Sequence, residues 1–291
     1  VQLTAATAAR PAGRRVRLSR AGRYRLLYAA LAAPGVLLLA VVFVYPLLDL
    51  MRLSFENGSL AHYEEVVSGG LFGTVFWNTV RIALIVTIAC AVLGYPVAHF
   101  LATASRGWAL FGLLCVVLPF WTSLLVRTYA WMILLGNNGI INKLLVGAGL
   151  VERPLPLLHN EFGVLVGMVH VLLPYFVFPV YAVMLRVDRT LMAAAEGLGA
   201  PLWQVLRRIY LPLTLPGIAA GGTLVFILSL GFFITPALLG GGKVMMIALL
   251  IEQQVGQMLN WGMAAAMCMT LVAAILLAYA AFKRLGRRNA P

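Results

Sequence analysis

The sequence has 291 residues, 62% hydrophobic and 11% charged, with a mean hydropathy of +0.96 and a formal net charge of +13. Soluble domains carry roughly half apolar and about a quarter charged residues, so this balance describes an integral membrane protein. It also removes the nucleic-acid-binding reading that the charge alone suggests, because the basic residues sit in short segments between apolar runs and not over a soluble face.

In chain order, residues 1–25 form a basic segment with Arg10, Arg14, Arg15, Arg17, Arg20, Arg23 and Arg25. It resembles the start of a signal peptide, but the apolar run behind it is too long and its small residues Ala29 and Ala33 precede its core. An uncleaved anchor is expected. A helix needs about 20 apolar residues to cross the hydrocarbon core. Six runs qualify: Leu26–Leu50, Trp77–Ala102, Trp108–Met132, Phe162–Leu185, Leu213–Leu238 and Trp261–Phe282. Alternating barrel-type strands are absent, so the expected fold is an all-α membrane bundle. Residues 26–285 are its six-helix transmembrane domain, and 286–291 a short tail.

Sixteen of the 22 basic residues fall in the second and fourth intervening segments and at the two ends, whereas Asp49, Glu56, Glu64, Glu65, Glu152, Glu161 and Glu252 lie toward the other side. The positive-inside rule therefore predicts both termini in the cytoplasm. Cys90, Cys115 and Cys268 all fall inside spans with no metal-type spacing, so neither a disulfide framework nor a metal site is expected.

Two segments outside the spans are long enough to fold. Met51–Phe76 is expected to face outward. The second, residues 187–212, is expected inside, and "AAAEGLGAPLWQVLRRIYLPLTLPGI", Ala193–Ile218, interrupts the apolar pattern there. Thr190 is a candidate cap, Leu191–Leu198 a short helix, and Gly199 its left-handed terminator. Pro201 then opens a second helix, Leu202–Ile209, with Arg207 and Arg208 free to reach lipid phosphates. Leu211-Pro212 and Pro216 are expected to end it. The small residues Ala193, Ala194, Ala195, Gly197 and Gly199 make a narrow surface that another protein can approach closely.

This segment resembles the cytoplasmic signature of ABC importer permeases: Glu-Ala-Ala, three residues, Gly, nine residues, Ile, one residue, Leu-Pro. The register gives Ala193-Ala194-Ala195, Gly199, Ile209 and Leu211-Pro212. The resemblance implies a type I importer permease fold with six transmembrane helices and both ends inside, in the bacterial inner membrane. It makes this segment the coupling helix seated in an ATPase subunit. One position departs from the pattern, since the signature Glu is Ala193. With Thr190 as cap, position 193 would be the third helical residue, where a Glu completes a capping box worth about 0.5–2 kcal/mol. Glu196, one turn on, could present a substitute carboxylate.

"NTVRIALIVTIACAVLGYPVAHFLA", Asn78–Ala102, "LPFWTSLLVRTYAWMILLGNNGIINKLL", Leu118–Leu145, and "FFITPALLGG", Phe232–Gly241, are similar to the spermidine/putrescine permease branch. That branch implies a second permease subunit, two ATPase subunits, an extracytoplasmic solute-binding protein and surrounding lipid as partners. Cofactors are expected to be absent from this chain, with ATP and Mg on the ATPase. In agreement, the sequence has no phosphate-cradling Gly-x-x-x-x-Gly-Lys-Ser/Thr loop and no Gly-x-Ser-x-Gly elbow. A transport subunit, not an enzyme, is expected.

Irregular backbone at membrane depth survives beside a cavity. Pro119 breaks span three, followed by Trp121, Thr122, Arg127, Thr128, Tyr129 and Trp131; Gly231, Thr235 and Pro236 do the same in span five. These two stretches are the candidate translocation pathway, with an interfacial aromatic belt as the alternative for Trp121, Tyr129 and Trp131. The span centres contain no acid, so a polyamine would depend on aromatic faces or on the partner permease. Arg127, if it faces the pathway, suits an anionic or zwitterionic solute better, unless it snorkels to headgroups. The missing carboxylate also argues against a stand-alone secondary transporter or channel. His99 and His170 lie at different depths, which disfavours a shared haem, and each is expected to be satisfied by a neighbouring polar group.

Overall fold

The computed structural model describes residues 20–55 and 60–288. The basic residues Arg10, Arg14, Arg15 and Arg17, the acid Glu56 and tail residues 289–291 lie outside them. Among the described residues every regular element is a helix: α1 Arg20–Ser54, α2 Ala61–Ser68, α3 Leu71–Thr103, α4 Arg106–Val117, α5 Leu124–Leu135, α6 Ile140–Gly147, α7 Glu161–Met184, α8 Arg189–Gly197, α9 Leu202–Val205, α10 Leu211–Leu230, α11 Ile234–Leu239, α12 Ile247–Gly256 and α13 Trp261–Arg288.

The described residues up to Arg52 and those from Leu53 onward form two separate units. In the first, α1 is a single 35-residue helix that carries Pro34 and Pro46 inside it and exposes apolar side chains such as Leu31, Leu38 and Phe43. A helix apolar on every side belongs in lipid or against other apolar helices.

In the second unit, α3, α7 and α10 pack against one another. Their shared core holds Ile82 and Val86 of α3, Met168, Leu172 and Phe176 of α7, and Val225 of α10, all at most 1% exposed. Between membrane helices the driving force is close packing, with lipid tails as apolar as the side chains they replace. Glycine permits it here. A Cβ on Gly94 would meet Phe176 Cδ1 at 2.7 Å, and one on Gly221 would meet the Phe176 carbonyl oxygen at 2.8 Å. A smaller cluster, with Val66, Phe72, Ile247, Met263 and Met267, gathers α2, α12 and α13 onto the start of α3. Asn142, 1% exposed, pins the α6 region by donating to the carbonyls of Gly136 and Leu155 and accepting from the Leu155 N–H.

Among the described residues, four helices are long and apolar enough to cross a membrane: Leu27–Ser54, Leu71–Thr103, Glu161–Met184 and Leu202–Leu230. A bent pair, Arg106–Trp121 with Leu124–Gly147, turns by 103° and would make a fifth. The expected third span is therefore not one straight helix. Pro119 starts a 3₁₀ turn, Leu118–Trp121, and Thr122 leaves it in an extended conformation. The expected fifth span is interrupted too, ending α10 at Leu230 and resuming as α11 after Gly231–Phe233. Trp261–Leu277 is a shorter apolar stretch within the 28-residue α13.

Candidate coupling and translocation sites

The α8 region is built from local hydrogen bonds. Asp188, not Thr190, caps α8: its carboxylate accepts the Thr190 backbone N–H at 2.9 Å. The Thr190 backbone N–H and then its side chain hold the Asp188 carboxyl below the usual carboxylate range. Both residues are good caps, and the one earlier in the chain prevails. Ala193 is then the fifth helical residue, so a Glu there could not close a capping box, and the stabilising role expected for that signature position does not apply.

At the other end the Gly199 N–H donates to the Glu196 carbonyl and the Ala200 N–H to the Ala195 carbonyl, 2.9 and 3.0 Å. This is the paired closure of a helix on a left-handed residue, and Gly199 has φ +84°. Ala193, Ala194, Glu196 and Gly199 are exposed, Ala195 is half-buried, and Leu198 stands 90% exposed at the tip. The backbone satisfies itself while the side chains face outward.

The second half of the segment departs from expectation. Leu211-Pro212 and Pro216 do not end the helix that starts at Leu202. A π turn over Leu206–Tyr210 lets the Leu211 N–H reach the Leu206 carbonyl, and the chain runs into α10 unbroken. Pro212 lacks the N–H that would bond residue 208, and the wider turn makes room for its ring. Ile209 is half-buried, while Leu211 and Pro212 are exposed at the root of α10.

The two broken stretches come together: α5 packs on α11, and Thr128 Oγ1 lies 3.5 Å from Thr235 Oγ1, both residues buried. Trp121 and Tyr129 are exposed, 85% and 52%, and Thr122 is exposed beside them. Arg127 is half-buried, with its Nε buried and unpaired. Trp131 packs edge-on against His170 of α7, ring centroids 5.7 Å apart. His99 is satisfied as expected, by the Tyr210 hydroxyl at 3.1 Å, but His170 is not: its Nδ1 is buried without a partner. Two unpaired buried nitrogens on adjacent helices are uncommon and call for an explanation.

Sequence reasoning missed a group beside this site. Phe120 packs on Tyr175 and Phe178 of α7, at centroid distances of 5.1 and 6.0 Å. The i, i+3 spacing of the two α7 aromatics is the signal that could have revealed it. At the far end of α7, Glu161 pairs with Arg81 of α3 at 2.5 Å. This pair flanks a cleft of about 510 Å³ that also involves Trp77, Asn78 and Lys243.

Residues 94–290 match the model of the family described as "Binding-protein-dependent transport system inner membrane component". The chain belongs to this family. It is the permease subunit of a binding-protein-dependent ABC importer, a multi-pass inner-membrane transport subunit and not an enzyme. It is 37% identical to the spermidine/putrescine transport system permease protein PotB of Haemophilus influenzae over 222 residues, 75% of this chain and 78% of that one. It is also 37% identical to the inner membrane ABC transporter permease protein YdcU of Escherichia coli K12, over 74% of this chain and 72% of that one. To the putative 2-aminoethylphosphonate transport system permease protein PhnU of Salmonella typhimurium LT2 the identity is 28%, over 68% and 71%. In fold it is similar to a chain of a bacterial alginate ABC transporter in complex with an alginate pentasaccharide-bound periplasmic protein, with TM-score 0.75 and 18% identity over 91% of this chain and 95% of that one.

Proposed function

We propose that the chain imports polyamines, spermidine or putrescine, as one half of a permease pair driven by two ATPase subunits and supplied by an extracytoplasmic solute-binding protein. The observation that carries this reading is the 37% identity, across three quarters of the chain, to a spermidine/putrescine permease. The aromatic surface around the Pro119 break supports it. Phe120, Trp131, Tyr175 and Phe178 offer ring faces to a cation, each contact worth about 0.5–2 kcal/mol.

In this reading residues 26–285 form six spans, with segment 1–25 and tail 286–291 in the cytoplasm. α4 and α5 count as one broken span and α13 as the sixth. Its 28 residues are supported by length, since a helix rises about 1.5 Å per residue. The segment 187–212, with Ala193, Ala194, Ala195, Glu196 and Gly199 on the knob and Ile209, Leu211 and Pro212 at its root, seats in the ATPase. ATP and Mg belong to that subunit. Trp121, Thr122, Arg127, Tyr129, Trp131 and Thr235 face or border the solute path, and lipid covers the remaining apolar surface.

A second reading has two specific observations in its favour. The unpaired Nε of Arg127 suits an anionic or zwitterionic solute, and a relative at 28% identity is named for 2-aminoethylphosphonate.

Uptake of radiolabelled spermidine and putrescine into vesicles holding the whole complex, with and without internal ATP, tests the proposal. Uptake that needs ATP and disappears in a Gly199→Pro, Leu211→Asp variant is the expected result. ATP hydrolysis stimulated by the binding protein without movement of either polyamine rejects the polyamine reading.

A further inference from the structure

Where α8 meets the bundle, a cluster of polar groups joins three separate elements. Arg189, the first residue of α8, donates through Nη2 to the carbonyl of Ala102 at 2.5 Å. Ala102 lies in the last turn of α3, where carbonyls lack helical partners and the helix dipole adds negative potential. One turn back on the same α3 face, His99 Nδ1 meets the Tyr210 hydroxyl at 3.1 Å, with the rings edge to face. A further turn back, the Tyr95 hydroxyl meets Thr214 Oγ1 at 3.2 Å. Tyr95, His99 and Ala102 thus form a stripe on α3, and Tyr210, the last residue of the π turn, and Thr214 of α10, four residues apart, form its counterpart. A cavity of about 120 Å³ lined by Met184, Arg189, Met192 and Tyr210 lies where α8 meets the bundle, so apolar packing, through Met192 and Val187, fills the joint only in part.

We propose that Arg189 is a positioning residue that transmits displacement of α8 directly into α3, with Tyr210 and His99 fixing the depth at which α3 meets the π turn. The backbone offers α8 a route only to α7, through Leu185–Asp188, and to α10, through α9. The Arg189–Ala102 bond is the hydrogen bond joining α8 to α3 among the described residues, and it is charge-assisted, the stronger class. With it, a push on the knob reaches all three helices of the core together. The proposal rests on the reading of α8 as the ATPase seat.

The test uses the complete complex in lipid, with Arg189→Ala, Arg189→Lys and Tyr210→Phe variants. It measures ATPase co-purification and the stimulation of ATP hydrolysis by the binding protein, as purified from the same cells. That stimulation crosses the membrane through this chain. The expected result for Arg189→Ala is retained co-purification with stimulation reduced about tenfold, the scale of one charge-assisted hydrogen bond. Arg189→Lys should recover most of it, and Tyr210→Phe should lose less than Arg189→Ala. Stimulation within about twofold of wild type in Arg189→Ala overturns the proposal. So does loss of the ATPase from that complex, which would place Arg189 in the seat itself, and so does equal loss in the Ala and Lys variants. Failure of the underlying reading shows separately, as full ATPase co-purification with the Gly199→Pro chain.

Discussion

The α8 knob and the junction of α5 with α11 are both interruptions of a membrane helix pattern, yet they treat their polar groups in opposite ways. At α8 the backbone is closed on itself, by Asp188 at one end and by the Ala200 and Gly199 N–H groups at the other. At the α5–α7 contact, Arg127 Nε and His170 Nδ1 are buried and unpaired. A surface for another protein must hold its shape before the partner arrives, so that ordering costs are met in advance. A surface for a transient solute needs groups with unused capacity. The comparison teaches that interrupted backbone alone does not identify a solute site; unpaired side-chain atoms next to the interruption distinguish it.

The largest effect is expected from the rigid side of this comparison. Leu198→Asp puts a charge on the exposed apolar tip, and ATPase co-purification should fall about tenfold or more, the loss typical of a central anchor. Retained ATPase would remove the tip from the seat. Next, Gly221→Val forces a branched side chain against the Phe176 backbone. Overpacking typically costs about 1–3 kcal/mol, to be read as a lowered thermal midpoint of the detergent-purified complex. An unchanged midpoint would show that α10 can move away from α7.

On the side with unused capacity, Trp131→Ala should raise the KM for spermidine uptake by about 2- to 30-fold if its ring faces a cation. Arg127→Gln sharpens the same contrast between the two solute readings. It should leave polyamine uptake intact or increase it, and should abolish uptake of 2-aminoethylphosphonate if that class is carried. The smallest effect concerns Asp188. Its lowered pKa means that the cap is fully formed above the ordinary carboxylate range and is lost as pH falls through the folded-state value. Hydrogen exchange of the α8 amides should be faster in Asp188→Ala than in wild type at neutral pH, with the two converging in acid.

Much of this was legible in the sequence because it depends on local chemistry. Pro119 and Gly231 announce the breaks, and Gly199 announces the end of α8, since each acts on its own backbone. The cap was assigned two residues late because Asp188 and Thr190 are both capable and only the fold chooses between them. The π turn was invisible for a different reason: Pro212 and Pro216 ordinarily stop a helix, and an i to i−5 bond is the exception that carries it past them. The pairings of Arg81 with Glu161 and of Arg189 with Ala102 link residues 80 and 87 positions apart, and no periodicity encodes such meetings. His170 was expected to find a partner by general rule, and the rule fails at the place where a solute site is proposed.

Phe176 has a mechanical consequence. Fully buried, it is gripped by Gly94 of α3 on one side and by Gly221 of α10 on the other. No slack exists at that contact for one helix to slide past another, so it acts as a pivot pin. A tight contact at one point still lets helices turn about it, so the α8 end of α3 is held by a contact of its own, Arg189 on Ala102. The breaks at Leu118–Ser123 and Gly231–Phe233 are where the regular α-helical hydrogen bonding is interrupted, and a helix bends most readily at such interruptions.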